Sequence, residues 1–192
     1  MTILESARLT LRELEADDAD DLAAVLSDPV AMRYYPAPFD RDRIAGWIAW
    51  AQASYHDNGF GLWAVIRRED GRFLGDCGPM LQPVEGSLVP EIGYHIVPSD
   101  QGHGYATEAA RASLAWMFKH QPYDMVCSLV TPENAPSRAV AAKVHHSMRE
   151  FVWEKHQRVM CLYWSDRARF ADATETAVRS RPVTPIDNES VG

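Results

Sequence analysis

The sequence predicts a mixed α/β domain with a mostly antiparallel central sheet and helices on both faces. Three observations carry that prediction. Short alternating or β-rich runs recur along the chain, the first being "RLTLREL" (8–14). Two of them, "FGLWAVIRR" (60–68) and "FLGDCGPMLQ" (73–82), flank "EDGR", whose Asp-Gly is a hairpin signal. Further on, "EIGYHIV" (91–97), a long amphipathic stretch and "MVCSLV" (125–130) follow in the order of a right-handed crossover.

After the first strand, Asp17 or Asp18 is placed to cap a helix carrying Leu22, Val25 and Leu26, which Pro29 stops. "AMRYYPAPFD" is a Pro- and aromatic-rich loop, and Asp40 caps a helix over about 41–56. The hairpin follows, then "PVEGSLVP", read as a loop. The long helix is expected from about Gly104 to Lys119, with Ala106, Ala109, Ala110, Leu114, Met117 and Phe118 on one face. The unbroken apolar character of "MVCSLV" suits a strand buried on both faces. "TPENAPSRAVAAKV" begins as a loop and becomes a helix, and "REFVWE" and "RVMCLYW" close the sheet. The expected order is β-α-α-β-β-β-α-β-α-β-β. Residues 1–165 form the domain, and 166–192 a polar tail with two prolines.

Composition narrows the function. The 192 residues are 46% apolar and 24% charged, with a net charge of −8. This balance argues against nucleic-acid partners and mildly favours cationic acceptors such as amines. Cys77, Cys127 and Cys161 have no paired spacing, so neither a disulfide framework nor a zinc site is expected, and the cytoplasm is the expected compartment. The first residues lack the basic and apolar regions of a signal peptide. No apolar run reaches the ~18 residues of a membrane span.

The most informative stretch is "QGHGYA", Gln101 to Ala106, at the head of the long helix. Its glycines let backbone approach a ligand, and the free N–H groups of a helix start favour phosphate. No Gly-Lys follows, which excludes a P-loop, and Thr107 stands where a dinucleotide fingerprint needs its third glycine. The stretch fits Gln/Arg-x-x-Gly-x-Gly/Ala and resembles the acyl-CoA pyrophosphate loop of the GNAT N-acetyltransferases. "TPENAPSRAVAAKV" resembles that family's second cofactor segment, and the early stretches resemble its RimJ/RimL-like branch of ribosomal-protein N-terminal acetyltransferases.

The resemblance implies a GNAT-like sheet whose fourth and fifth strands splay apart. It implies acetyl-CoA as co-substrate with no metal, and an acceptor amine on a protein N-terminus or a small molecule. Homodimers are common in the family. Backbone at Ile96 and Val97 would meet the pantetheine arm, and a backbone N–H near Val97 the acetyl oxygen. Gln101, Gly102, His103, Gly104, Tyr105, Ala106 and Thr107 would cradle the pyrophosphate. Asn134 would reach the arm from the far side, Ser137 would sit by the sulfur as a catalytic group, and Lys143 is either a phosphate contact or a solvated lysine.

Amine acetylation needs a neutral nucleophile, so a group must take a proton. Glu91, which aligns with the family's glutamate on the fourth strand, is the candidate base or amine anchor. The alternative is a glutamate meeting solvent at a frayed strand start. His95 shares its face, as a second base, a relay or a structural histidine. Tyr34 and Tyr35 are the candidate substrate contacts, with Phe39, Trp47, Trp50, Phe60 and Trp63 as further wall or core. Asp76 is either an ammonium anchor or a turn residue. The family's usual Leu-Gly after the second cofactor helix is "VHHSMRE" here, which predicts a longer helix end with about two extra residues. A non-catalytic acyl-CoA-binding regulator on the same fold is the competing reading.

Overall fold

The structure is a computed structural model that describes residues 1–154 and 157–170. One sheet runs in the order β1-β2-β3-β4-β5-β6-β8-β7. Its strands are β1 (Thr2–Glu5), β2 (Leu9–Glu13), β3 (Trp63–Arg67), β4 (Phe73–Val84), β5 (Ser87–Ile96), β6 (Met125–Val130), β7 (Ser147–Trp153) and β8 (Arg158–Asp166). Among the described residues the helices are α1 (Ala19–Leu26), α2 (Arg41–Asn58), α3 (Tyr105–His120) and α4 (Ala135–Val144), and residues 167–170 are also helical. Neighbouring strands are antiparallel except β5 and β6, which run parallel. The short edge strand β1 is additional to the expected order.

Alternation along the strands divides the core. Leu9, Leu11, Val65, Ile92 and Ile96 pack under α3, against Ala110, Leu114, Met117 and Phe118. On the other face, Leu62, Ala64 and Met80 meet Leu22, Leu26, Ile44 and Ile48 of α1 and α2. The helical spacing read in α3 is the spacing of its buried residues.

Two caps differ in kind. Asp40 caps α2 as expected, accepting the Arg43 N–H at 2.9 Å. Asp18 stands at the N-cap of α1, as the last residue of a 3₁₀ turn (Ala16–Asp18), but it is buried and its side chain makes no cap hydrogen bond. The two terminal guanidinium nitrogens of Arg12, Nη1 and Nη2, donate to its two oxygens at 2.7 Å. That bidentate contact holds its carboxyl below the usual range against the opposing effect of burial.

"PVEGSLVP" is not a loop but the tip of a long hairpin. Glu85 and Gly86 take φ of 48° and 80°, the two positive values of a type I′ turn, and β4 and β5 pair without interruption from Gly75–Ile96 to Val84–Ser87. Prolines hid this from sequence reading. The Val97 N–H bonds the Leu74 carbonyl at 2.8 Å, so hydrogen-bonded pairs fall at every second position from there. Pro79, Pro83 and Pro90 occupy the alternate pairs, where a ladder needs no N–H.

The connection after α4 also differs from expectation. The helix ends at Val144 and β7 begins at Ser147, so no extra helical residues intervene. His145 turns inward and is buried, with its two nitrogens at 3.1 Å from the hydroxyls of Ser128 and Ser165. His146 meets Asp166 at 3.3 Å. Of the expected tail, Asp166 pairs with Met125 within β8. Arg167 donates to the carbonyls of Phe118, Gln121 and Tyr123 at the end of α3, and Phe170 packs on Phe118. Residues 171–192 lie outside the described residues.

Burial, with a smaller contribution from His146, pushes His145 down to about 3. The unfolded chain therefore binds a proton between about pH 6.5 and pH 3 that the folded chain refuses, and stability falls with pH across that window. The expected loss from this one group is about 2 kcal/mol by pH 5. Urea midpoints at pH 7 and pH 5 check it: His145→Gln should flatten the difference, and an unchanged difference would assign it elsewhere.

Candidate active site

Past one paired position, Glu91 with Cys127, β5 and β6 separate. The alternation set by the Val97–Leu74 bond turns the backbone groups of Ile92, Tyr94 and Ile96 away from β4, toward the opening. Two observations agree with this. Ser128 Oγ, on β6, donates to the Ile92 carbonyl at 2.8 Å, and Gln101 Nε2 donates to the Ile96 carbonyl at 2.9 Å. The Val97 N–H is committed to Leu74, so it does not serve as the oxyanion donor expected there.

A cleft of about 370 Å³ occupies the opening. Its floor is Tyr94, His95 and Ile96 of β5. One end is the turn before α3, where Gln101, Gly102, Gly104, Tyr105, Ala106 and Thr107 line it. Gly102 and Gly104 take φ of 81° and 83°, left-handed values that side chains resist, and Gly104 precedes α3 with no side-chain cap. Glu108 N–H makes the first bond back to Gly104, so the N–H groups of Tyr105, Ala106 and Thr107 lack partners within the helix. This end of the cleft is built for an anion. His103 does not line the cleft; its Nδ1 lies 3.0 Å from the Gln101 carbonyl and its ring stacks on Tyr105.

Residues that sequence reading did not single out hold this turn. Arg8 donates to the His103 carbonyl at 3.1 Å, lies over the Tyr105 ring and pairs with Glu108 at 2.7 Å. Buried Asp100 receives Arg67 at 3.1 Å, Arg72 at 2.9 Å and Ser99 at 2.8 Å. Asp100 directly precedes Gln101, which was the available signal. The cationic partners lie just before β2, in β3 and in the β3–β4 turn, far off in sequence.

The far wall is α4. Asn134 caps it, accepting the Ser137 N–H at 3.1 Å, and both residues line the cleft together with Lys143. The Ser137 carbonyl accepts the Tyr94 hydroxyl at 2.8 Å, a bridge from α4 to β5 across the opening. Tyr94 places a phenol beside Ser137 that no local pattern announced.

The acceptor-side residues separate into two groups. Tyr34 and Tyr35 both line the cleft. Phe39, Phe60 and Trp63 are core, at 6%, 1% and 1% exposure. Trp47 is half-buried and Trp50 exposed. Asp76 is fully buried, and so unavailable as an anchor for an incoming ammonium. It sits between Trp47 Nε1 at 2.8 Å and His95 Nδ1 at 2.7 Å, and His95 Nε2 lies 2.7 Å from the Tyr35 hydroxyl. Burial lowers the pKa of His95, but the charge and hydrogen bond of Asp76, with Glu91 more distantly, outweigh it and leave the pKa raised.

Glu91 is not at a frayed end. It lies within β5, half-buried, where its carboxylate accepts the Leu129 N–H at 3.1 Å and ties β5 to β6 at the point of separation. It is not among the residues that line the cleft. Among the described residues, no cluster of side chains is arranged to hold a metal ion.

The architecture and the cleft coincide with a known family. The family model "Acetyltransferase (GNAT) domain" matches residues 8–147. The uncharacterized protein YkkB of Bacillus subtilis is 36% identical over 157 residues, 80% of this chain and 91% of its own. The uncharacterized N-acetyltransferase p20 of Bacillus licheniformis is 30% identical, over 71% and 78% of the two chains. The crystal structure of an acetyltransferase from Agrobacterium tumefaciens superimposes with a TM-score of 0.74 at 26% identity, over 84% and 92%. More distant structures share the fold: RimL, a ribosomal-protein alpha-N-acetyltransferase in complex with coenzyme A (TM-score 0.69, 15% identity), and a spermidine N-acetyltransferase chimera (TM-score 0.69, 17% identity). The chain belongs to the GNAT family and is an acetyl-CoA-dependent acetyltransferase.

Proposed function

We propose that this chain transfers acetyl from acetyl-CoA directly to a primary amine, with both bound in one ternary complex. The observation that carries this reading is the cleft itself. It joins an anion-binding helix start at one end to the Tyr35–His95 pair at the other, through the gap between β5 and β6. The acceptor is a protein N-terminus or a small amine, the two classes named for RimL and the spermidine enzyme.

The residues present fit the co-substrate. Gly102 to Thr107 would hold the pyrophosphate on backbone N–H groups, with Gln101 fixing the turn to β5. The outward backbone of Tyr94 and Ile96 would meet the pantetheine amides as a strand partner would. Asn134 and Ser137 would close over the arm from α4, and the Ser137 hydroxyl would hydrogen-bond the sulfur. When bound, acetyl-CoA supplies an activated acyl group on a thiol leaving group.

Amine acceptors arrive largely protonated at pH 7. In this reading Glu91 acts as an anchor through its charge: it contributes to the raised pKa of both His95 and Tyr35, and so favours positive charge at that end of the cleft.

Two outcomes are expected. Gly104→Val forces a β-branched residue to φ near 83° and should weaken CoA binding at least tenfold by calorimetry; equal affinity would remove the turn from the cofactor site. Glu91→Gln keeps an acceptor for the Leu129 N–H but removes the charge. Its turnover at pH 7 should fall about tenfold with CoA affinity within about twofold. A parent that binds CoA tightly yet releases none on a panel of peptides and polyamines would instead favour an acyl-CoA-binding regulator.

A further inference from the structure

Asp76, His95 and Tyr35 come from β4, β5 and the loop before α2, yet they make one hydrogen-bonded chain that ends at the cleft. Both oxygens of Asp76 are engaged, one by the indole N–H of Trp47 and one by His95 Nδ1. Asp76 is fully buried, and the His95 side chain is 10% exposed. A carboxylate at Nδ1 fixes the proton there, which leaves the Nε2 lone pair facing the Tyr35 hydroxyl. Tyr35 is 42% exposed as a residue, but its hydroxyl turns inward onto His95. A purely structural histidine needs neither a buried acid behind it nor a partner on the cleft wall.

Resting on the acetyl-transfer reading, we propose that these three residues form the proton-accepting relay for the amine. The Tyr35 oxygen is the catalytic contact, His95 is the base that ends with the proton, and Asp76 is the positioning residue. The bound ammonium first gives one proton to water; the lone pair of the neutral amine then forms the new N–C bond, and the C–S bond breaks with its electron pair on sulfur, leaving CoA thiolate. The surplus proton on nitrogen passes to the Tyr35 oxygen as the Tyr35 proton passes to His95 Nε2. The resulting imidazolium faces the Asp76 carboxylate. The proton does not come to rest on a tyrosinate pathway, because burial and the charges of Glu91 and Asp76 all raise the pKa of Tyr35. The titratable groups that bear on His95 are Asp76 from β4, Glu91 from β5 and Tyr35 from the loop.

Neutral His95 accepts the proton, so kcat should fall as pH drops below its raised pKa. Asp76→Asn removes part of the raise and should move that acid limb to lower pH. His95→Gln should lower kcat about 100-fold and abolish the limb. Tyr35→Phe, a change at an exposed residue that spares the fold, should lower kcat at least tenfold. CoA affinity should stay within about twofold in all three. Independently of activity, NMR titration of the His95 ring in the CoA complex should give a pKa above 6.5 in the parent and a lower one in Asp76→Asn. The relay is overturned by a parent value at or below 6.5, by Tyr35→Phe or His95→Gln turning over within threefold of an active parent, or by an unmoved limb in folded Asp76→Asn. A parent that acetylates no amine overturns the function and the relay together, whereas an active parent with indifferent variants overturns the relay alone.

Discussion

The separation of β5 from β6 is the constraint on which the rest depends. Two parallel strands at the centre of a sheet should bond along their length, because unpaired backbone away from water is costly. Here they meet at Glu91 and Cys127 and then part. The fold softens the cost with side chains: Ser128 serves the Ile92 carbonyl, Gln101 the Ile96 carbonyl and Glu91 the Leu129 N–H. The Tyr94 hydroxyl spans the gap to α4. What remains is a slot with outward peptide groups, which suits a ligand that carries amides of its own.

Charge is used differently at the two ends of that slot. At the start of α3, Arg8, Arg67 and Arg72 are tied to Glu108 and Asp100, so they shape the turn through hydrogen bonds while the backbone faces the ligand. At the other end, the buried acid Asp76 has a histidine and an indole as its partners. The first arrangement favours negative charge and the second favours positive charge. In the proposed reading, a negatively charged donor and a cationic acceptor would thereby be sorted to opposite ends before any chemistry begins.

Much of this was legible in the sequence, and the reasons for the gaps are physical. The α3 stripe and the glycine turn were readable because helix period and left-handed φ depend on local residues. Asp40 was readable for the same reason, as caps act within four residues. The β4–β5 hairpin was obscured because proline reads as a breaker, and only the pairing register shows that Pro79, Pro83 and Pro90 avoid the bonded positions. Phe60 and Trp63 have the same chemistry as a slot wall, and the sheet alone decides that they face the core. The Asp76–His95 and Tyr35–His95 contacts span 19 and 60 residues, so no spacing rule brings them together.

The contacts of Arg167 bear on the far end of the same helix. Three backbone carbonyls at and just past the end of α3 converge on this one guanidinium, while Arg8 and Ser6 grip Glu108 in its first turn. Helix α3 is fastened at both ends, like a beam set in two walls, and these contacts oppose sliding along its axis and fraying, so its positive pole is held in place by the protein's own contacts. A polyanion arriving at that pole meets a preorganised seat, and little of its binding energy is diverted into ordering the protein.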